Sequence, residues 1–235
     1  MNSTATAILT VDHPLKFMAR PTPQLQTTVE QYHAVLAPDQ FRELIGNIES
    51  IFSKFTTKLL EFEPGLERGH ALHQMMDHEL KAASQYAISC HKGCSGCCHY
   101  EVEITRNEAI VLRDAVQRGV LIDFKRLHLQ AMRERRSPEW RRFGSADNRC
   151  VFLAENGACR VYDIRPSICR KHIVSTPPVN CTTDGATVSP IQVLLAEILL
   201  SAELSIDGNG FGSLPKMLEG LMEETSAVRV ETSSA

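Results

Sequence analysis

Four cysteines crowd into the nine residues from 90 to 98, at Cys90, Cys94, Cys97 and Cys98, and four more follow at Cys150, Cys159, Cys169 and Cys181. Thiolates placed this close together are the ligand set of a soft metal. Zn²⁺ collects up to four sulfurs in a tetrahedron, and iron–sulfur clusters are likewise held by several cysteines at once. Eight donors are enough for two four-thiolate sites. Cys94-Ser-Gly-Cys97 is a CxxC pair expected to share one ion, with Gly96 supplying the backbone freedom of a tight metal turn. Cys98 follows directly. Adjacent side chains diverge by about 100° on a helix and point to opposite faces of a strand, so Cys98 is expected either to bridge two metals or to belong to a second one.

Other residues carry weaker chemical signals. His91, His99 and His172 adjoin or follow cluster cysteines and could each replace a thiolate, but with eight cysteines available they are read as supporting groups. His70, His73 and Asp77 share a helical face and are read as an exposed polar stripe rather than a separate hard-metal site. Arg165 and Arg170 are expected to offset thiolate charge, with a clamp for a substrate carboxylate as the alternative. Cys90-x3-Cys94-x2-Cys97 also has the spacing by which radical-SAM enzymes hold a [4Fe–4S] cluster with one iron open to S-adenosylmethionine. Gly96 stands where those enzymes usually carry an aromatic residue, and no alternation of strands and helices suggests a partial barrel.

These cysteines must be positioned by surrounding elements. Apolar residues at three- and four-residue steps predict helices over 38–62 and 66–88, the second delivering the chain to Cys90. Its buried side is expected at Leu72, Met75, Met76, Leu80 and Ala83. Thr105 and Glu108 form a capping box ahead of a helix over 106–118. Asp123 caps another through Met132, and Ser137-Pro138-Glu139 opens one more. Arg133, Arg135, Arg136, Arg141 and Arg142 read as a solvated basic face. Cys150 to Leu153 and Cys159 to Tyr162 flank Asn156-Gly157, a hairpin signal. A two-residue loop would pair Ala154 with Cys159 and leave the Cys150 and Cys159 sulfurs roughly 13 Å apart in a straight ladder, in different centres unless Cys150 lies just outside the strand. Cys169 and Cys181 are then expected to complete sites begun by the quartet. Ser189-Pro190 opens an apolar helix through Leu204, buried or at a subunit interface. Gly208 to Gly212 reads as a flexible turn, and a last helix covers 214–225.

The bulk properties narrow the class. With 235 residues and 43% hydrophobic content the chain can bury a core, and its net charge of -3 provides no basic field for nucleic acid. No apolar run reaches the roughly 18 residues of a membrane span. The N-terminal residues lack a secretory pattern, which makes reduced cytoplasmic thiols the expectation over a disulfide framework.

Taken together, the cysteine motifs resemble the YkgJ-like cysteine-cluster family, a zinc- or iron-chelating CxxCxxCC domain. Cys90, Cys94, Cys97 and Cys98 match its quartet, and Thr105 with Glu108 matches its helix start. Cys150-Val-Phe-Leu153, Cys159-Arg-Val-Tyr162, Arg165-Pro-Ser-Ile-Cys169-Arg170 and Cys181 match the motifs that follow. The resemblance implies metal binding, with zinc and iron both open. Flagellin lysine methylases resemble this family too, which keeps a metal-dependent or iron–sulfur enzyme, protein-modifying or redox, as the alternative. The expected architecture is mostly α with a small β-hairpin. It comprises a flexible arm (1–26), a helical region (27–87), a cysteine-cluster metal-binding domain (88–182), C-terminal helices packed on that core (183–225) and a disordered tail (226–235). Besides the metal ion, a protein partner or homo-oligomer through the apolar helix 190–204 is the partner expectation.

Overall fold

A computed structural model describes residues 13–141, 145–206, 208 and 210–233. Among these residues the chain is mostly helical, with two small two-stranded antiparallel sheets, and it divides into two compact units.

The first unit joins Met1–Glu61 to Leu194–Gly208. It holds α1 (Pro23–Val35), α2 (Pro38–Leu60) and α7 (Leu194–Ser205). Proline occupies the first turn of both α1 and α2, where its missing N–H costs nothing. Leu15, Met18, Leu25, Val29, Ile48 and Ile198 form the core. α7 is apolar around most of its circumference, is buried from Ala196 to Leu204 and packs on α2 and α1 within its unit. Its polar residues are matched as well. The Thr22 hydroxyl donates to Glu197 at 2.7 Å and accepts from the Leu25 amide, while the Thr22 amide donates to Ser201 Oγ at 3.0 Å. One threonine thereby caps α1 and satisfies a buried carboxylate. The expected arm over 1–26 lies outside the described residues up to position 12, and beyond it Leu15 and Met18 are buried and α1 has begun.

The second unit joins Phe62–Val193 to Asn209–Ala235. α3 (Leu66–Leu80), α4 (Arg106–Gln117), α5 (Phe124–Ala131) and α8 (Leu214–Ser233) surround a core that includes Ile104, Leu112, Leu127, Phe152, Leu214 and Leu218. The capping box forms as read: Thr105 Oγ1 accepts the Glu108 amide, and Glu108 Oε2 accepts the Thr105 amide. Asp123 caps α5 through the Arg126 amide. The C-terminal helices expected together over 183–225 divide between the units, α7 in the first and α8 in the second. The expected tail over 226–235 falls within α8 as far as Ser233.

Several boundaries differ from the sequence reading for identifiable reasons. α3 ends at Leu80 and tightens into a 3₁₀ turn over Lys81–Gln85. The helix expected from Pro190 starts at Leu194, because β3 (Pro190–Ile191) pairs with β2 (Ile173–Val174). The supposed turn at 208–212 enters β4 (Phe211–Ser213), which pairs with β1 (Glu103–Thr105), Ile104 opposite Gly212. Backbone bonds from Arg106 to Gly210 and from Leu214 to Val102 extend that ladder at both ends. A three-residue strand whose partner lies more than a hundred residues upstream carries no recognisable pattern of its own. Strands this short build no partial barrel, and no described helix is long and apolar enough to cross a membrane. The basic face is not simply solvated: Arg133 binds Asn148 and the Asp147 carbonyl, and Arg135 and Arg136 pair with Glu103. The side chains of Arg141 and Arg142 lie outside the described residues.

The α3–α4 crossing depends on Gly69. A Cβ there would meet Val111 Cγ2 at 2.6 Å and the Asn107 carbonyl oxygen at 2.8 Å. Gly69→Ala gains about 1 kcal/mol of helix propensity but overpacks a helix interface, a change costing about 1–3 kcal/mol. Net destabilisation in urea unfolding is the expected result.

Candidate metal centre

The quartet is held by its backbone rather than by a regular element. Cys90 sits beside β2: the Val174 amide donates to its sulfur at 3.4 Å, and Ser89 donates to the Val174 carbonyl at 2.9 Å. Cys94 closes a turn onto the His91 carbonyl, and Gly96–His99 forms one 3₁₀ turn. The Cys98 carbonyl accepts the Cys150 amide at 2.8 Å, which fixes the fifth cysteine against the quartet. Gly96 is a point of close approach, since a Cβ there would lie 2.8 Å from Cys181 Cβ. Tyr100 completes that contact by donating its hydroxyl to the Cys181 carbonyl at 2.6 Å. Cys181, 83 residues beyond Cys98 in sequence, therefore packs directly on the quartet.

The segment around Asn156-Gly157 differs from the expected two-residue hairpin. Leu153 pairs with Cys159 in a single bridge, and the Ala154 amide bonds to the Ala158 carbonyl, leaving a three-residue loop. Gly157 takes the positive φ of 80° that this loop needs. The register shifts by one, and Cys150 lies before the bridge in a turn closed by the Leu153 amide. A straight ladder would have separated Cys150 from Cys159, but the turn takes Cys150 out of the ladder, and a thiolate at Cys159 would push the Cys150 thiol up. Each also accepts a backbone amide two residues further on, from Phe152 and Val161 respectively. Such N–H to sulfur contacts favour the thiolate a metal requires.

Cys90, Cys94, Cys97 and Cys169 line one cavity of about 270 Å³. Cys97 is the common neighbour, because a thiolate there would repel those at Cys90, Cys150, Cys159, Cys169 and Cys181. Its own thiol is pushed up first by its hydrogen bond to Cys98 and then by burial. Burial pushes Cys150 up to about 11 and Cys169 well above the ordinary thiol range. Arg165 opposes these shifts at Cys90, Cys97 and Cys159. All eight cysteines are free, with no disulfide among them. Among the described residues no three His, Cys, Asp or Glu side chains converge tightly enough to hold a metal ion as they stand. The donors fit zinc or iron in type and in neighbourhood, with the sulfurs still to draw together.

Arg170 has a different role from the charge offset expected of it. Its guanidinium bonds both Asp77 carboxylate oxygens at 2.6 Å and also the Asp163 and Arg165 carbonyls, so it braces the loop that carries Arg165. Of the expected exposed stripe, only Asp77 and His70 are exposed. His73 is buried with its Nε2 3.5 Å from Glu108. Both ring nitrogens of His73 lack hydrogen-bond partners, so the contact with Glu108 is electrostatic. His91 is exposed and bonds to the Ser89 carbonyl, His99 buries its Nδ1, and His172 buries its Nε2.

The sequence reading missed the reach of Glu108. This fully buried carboxylate closes the capping box with one oxygen and with the other accepts the Ser167 amide at 2.6 Å, at the start of α6 (Ser167–Lys171). Cys169 stands on α6, so the same carboxylate that starts α4 holds the helix carrying a cluster thiol. Thr105-x-x-Glu108 marked the first role, and nothing in the local sequence marked the second.

Comparison with known proteins agrees with the cysteine pattern. Residues 89–184 match the model of the CxxCxxCC family, described as a "putative zinc- or iron-chelating domain". No curated protein and no solved structure matches the chain.

Burial raises the Glu108 pKa, but His73 and the Ser167 and Thr105 amides outweigh it and hold the carboxyl below its usual 4.5. A depressed folded pKa means stabilisation that is complete above about pH 4.5 and is lost as the pH falls through the lower folded value. Glu108→Gln should cost about 3 kcal/mol at pH 7 and remove this part of the acid dependence, as measured by urea unfolding between pH 3 and 7.

Proposed function

We propose that the chain, whose residues 89–184 match the CxxCxxCC family model, is a zinc- or iron-binding protein whose eight cysteines, from Cys90 to Cys181, supply the ligands. The observation that carries this reading is the gathering of distant cysteines around the quartet. Cys169 shares one cavity with Cys90, Cys94 and Cys97, Cys181 packs on Gly96, and Cys150 is tied to Cys98. Ionising thiols whose pKa values burial has raised is costly unless a cation shares the charge. A bound metal removes that cost, because it shares the charge of the thiolates it holds. Residues of this chain complete the balance: Arg165 faces the sulfurs, and backbone amides donate to Cys90, Cys150 and Cys159.

Two centres are the reading we favour. Cys97, Cys150, Cys159 and Cys169 interact mutually, while Cys90, Cys94 and Cys181 form a second neighbourhood around Cys97. Free thiols of this kind fit a reducing, cytoplasmic setting. The open cavity beside the sulfurs keeps a metal-dependent enzyme as the second reading.

Metal analysis and an optical spectrum on anaerobically purified protein test the proposal. At least one tightly bound metal per chain is expected, colourless for zinc and brown with broad visible absorption for an iron–sulfur cluster. Folded, monomeric protein with no metal and eight titratable thiols would end it. Cys97→Ser should lose more metal than Cys98→Ser, because Cys97 adjoins both groups of sulfurs.

A further inference from the structure

We propose that the cavity beside the cysteine quartet binds a small organic monocarboxylate, with its charged end on Arg165 and its hydrocarbon end against Leu80, Ile88 and Ile173. The inference rests on the metal reading, since a bound cation takes up the thiolate charge that Arg165 would otherwise face alone. The cavity is larger than a metal needs: its volume of about 270 Å³ compares with a share of about 30 Å³ for one liquid water. Four cysteines and three aliphatic side chains share its lining, so the space is amphipathic.

The polar contacts narrow the ligand class. Arg170 is fully engaged by Asp77 and two carbonyls, and Asp77, at the wall, is thereby neutralised. Arg165 is different. Its guanidinium lies 4.0 Å from the centroid of the Tyr162 ring, and its Nε is buried without an acceptor. The Lys92 ammonium stands 5.2 Å from the same ring centroid and adds positive charge at this end. A guanidinium stacked on an aromatic ring keeps its N–H edge open, and that edge matches the two oxygens of a carboxylate. The His172 Nε2, buried and unpartnered on the same lining, provides a further polar contact. One uncommitted guanidinium suits one carboxylate, and the aliphatic wall suits a short carbon chain rather than an inorganic anion.

The test titrates full-length, metal-loaded protein with butyrate and with its neutral isostere butyramide by calorimetry, after metal content has been measured. Butyrate is expected to bind at least tenfold more tightly than butyramide, the scale of a charge-assisted hydrogen bond. Arg165→Gln should abolish that preference when the variants are compared at matched metal loading, measured for each, and Arg165→Lys should restore part of it. In cobalt-substituted protein, butyrate should perturb the visible bands. Equal binding of the two probes, or no binding, at full metal content would overturn the inference and leave Arg165 as a counter-charge to the thiolates. A variant Arg165→Gln that still prefers butyrate would place the anion elsewhere and overturn it too. Protein that carries no metal at all would instead sink the metal reading, and this inference with it.

Discussion

A carboxylate removed from water has to be met by donors, and in this chain Glu108 is the carboxylate on which the cysteine domain is assembled. It is buried to 1% exposure, a position that is costly without compensation. The Thr105 and Ser167 amides and the His73 imidazole provide the compensation. Each of the three comes from a different stretch of chain: α3, the start of α4 and the start of α6. Satisfying one side chain thus brings three helices to one point, and α6 delivers Cys169 to the wall that Cys90, Cys94 and Cys97 already line. Arg170, one residue on, repeats the device from the opposite charge by gripping Asp77 of α3 and two carbonyls ahead of α6.

The quartet itself depends on backbone closeness. Gly96 lets Cys181 approach to a distance that any side chain would prevent, and the Cys98 carbonyl takes the Cys150 amide. The cysteines separated by 50 to 90 residues are therefore positioned by ordinary hydrogen bonds and packing before any metal is considered. Metal binding to such a pre-gathered set loses less conformational entropy than binding to a free peptide.

Much of this was legible in the sequence, because the relevant signals were local. The Thr105 and Glu108 capping box, the Asp123 cap, the stripe of α2 and the unbroken apolar run of α7 each follow from residues within a turn or two of one another. The cysteine spacing pointed to a zinc- or iron-chelating domain without any structure, and residues 89–184 match the model of such a family. What was not legible depended on distant partners. Phe211–Ser213 became a strand only because Glu103–Thr105 lay alongside it, and Pro190–Ile191 only because of Ile173–Val174. The His70, His73 and Asp77 face read as solvent-exposed because neither Glu108 nor Arg170 is near it in sequence. The separation expected between Cys150 and Cys159 held only for a Cys150 within the strand, and Cys150 lies instead in a turn before the Leu153–Cys159 bridge.

The most direct measurement of the central claim is X-ray absorption at the metal edge of protein isolated without air. If the cysteines from Cys90 to Cys181 are the ligands, the first coordination shell will be dominated by sulfur, at about 2.3 Å for zinc, with about four sulfurs per ion. A shell of oxygen and nitrogen, with the eight thiols remaining free, would contradict the account.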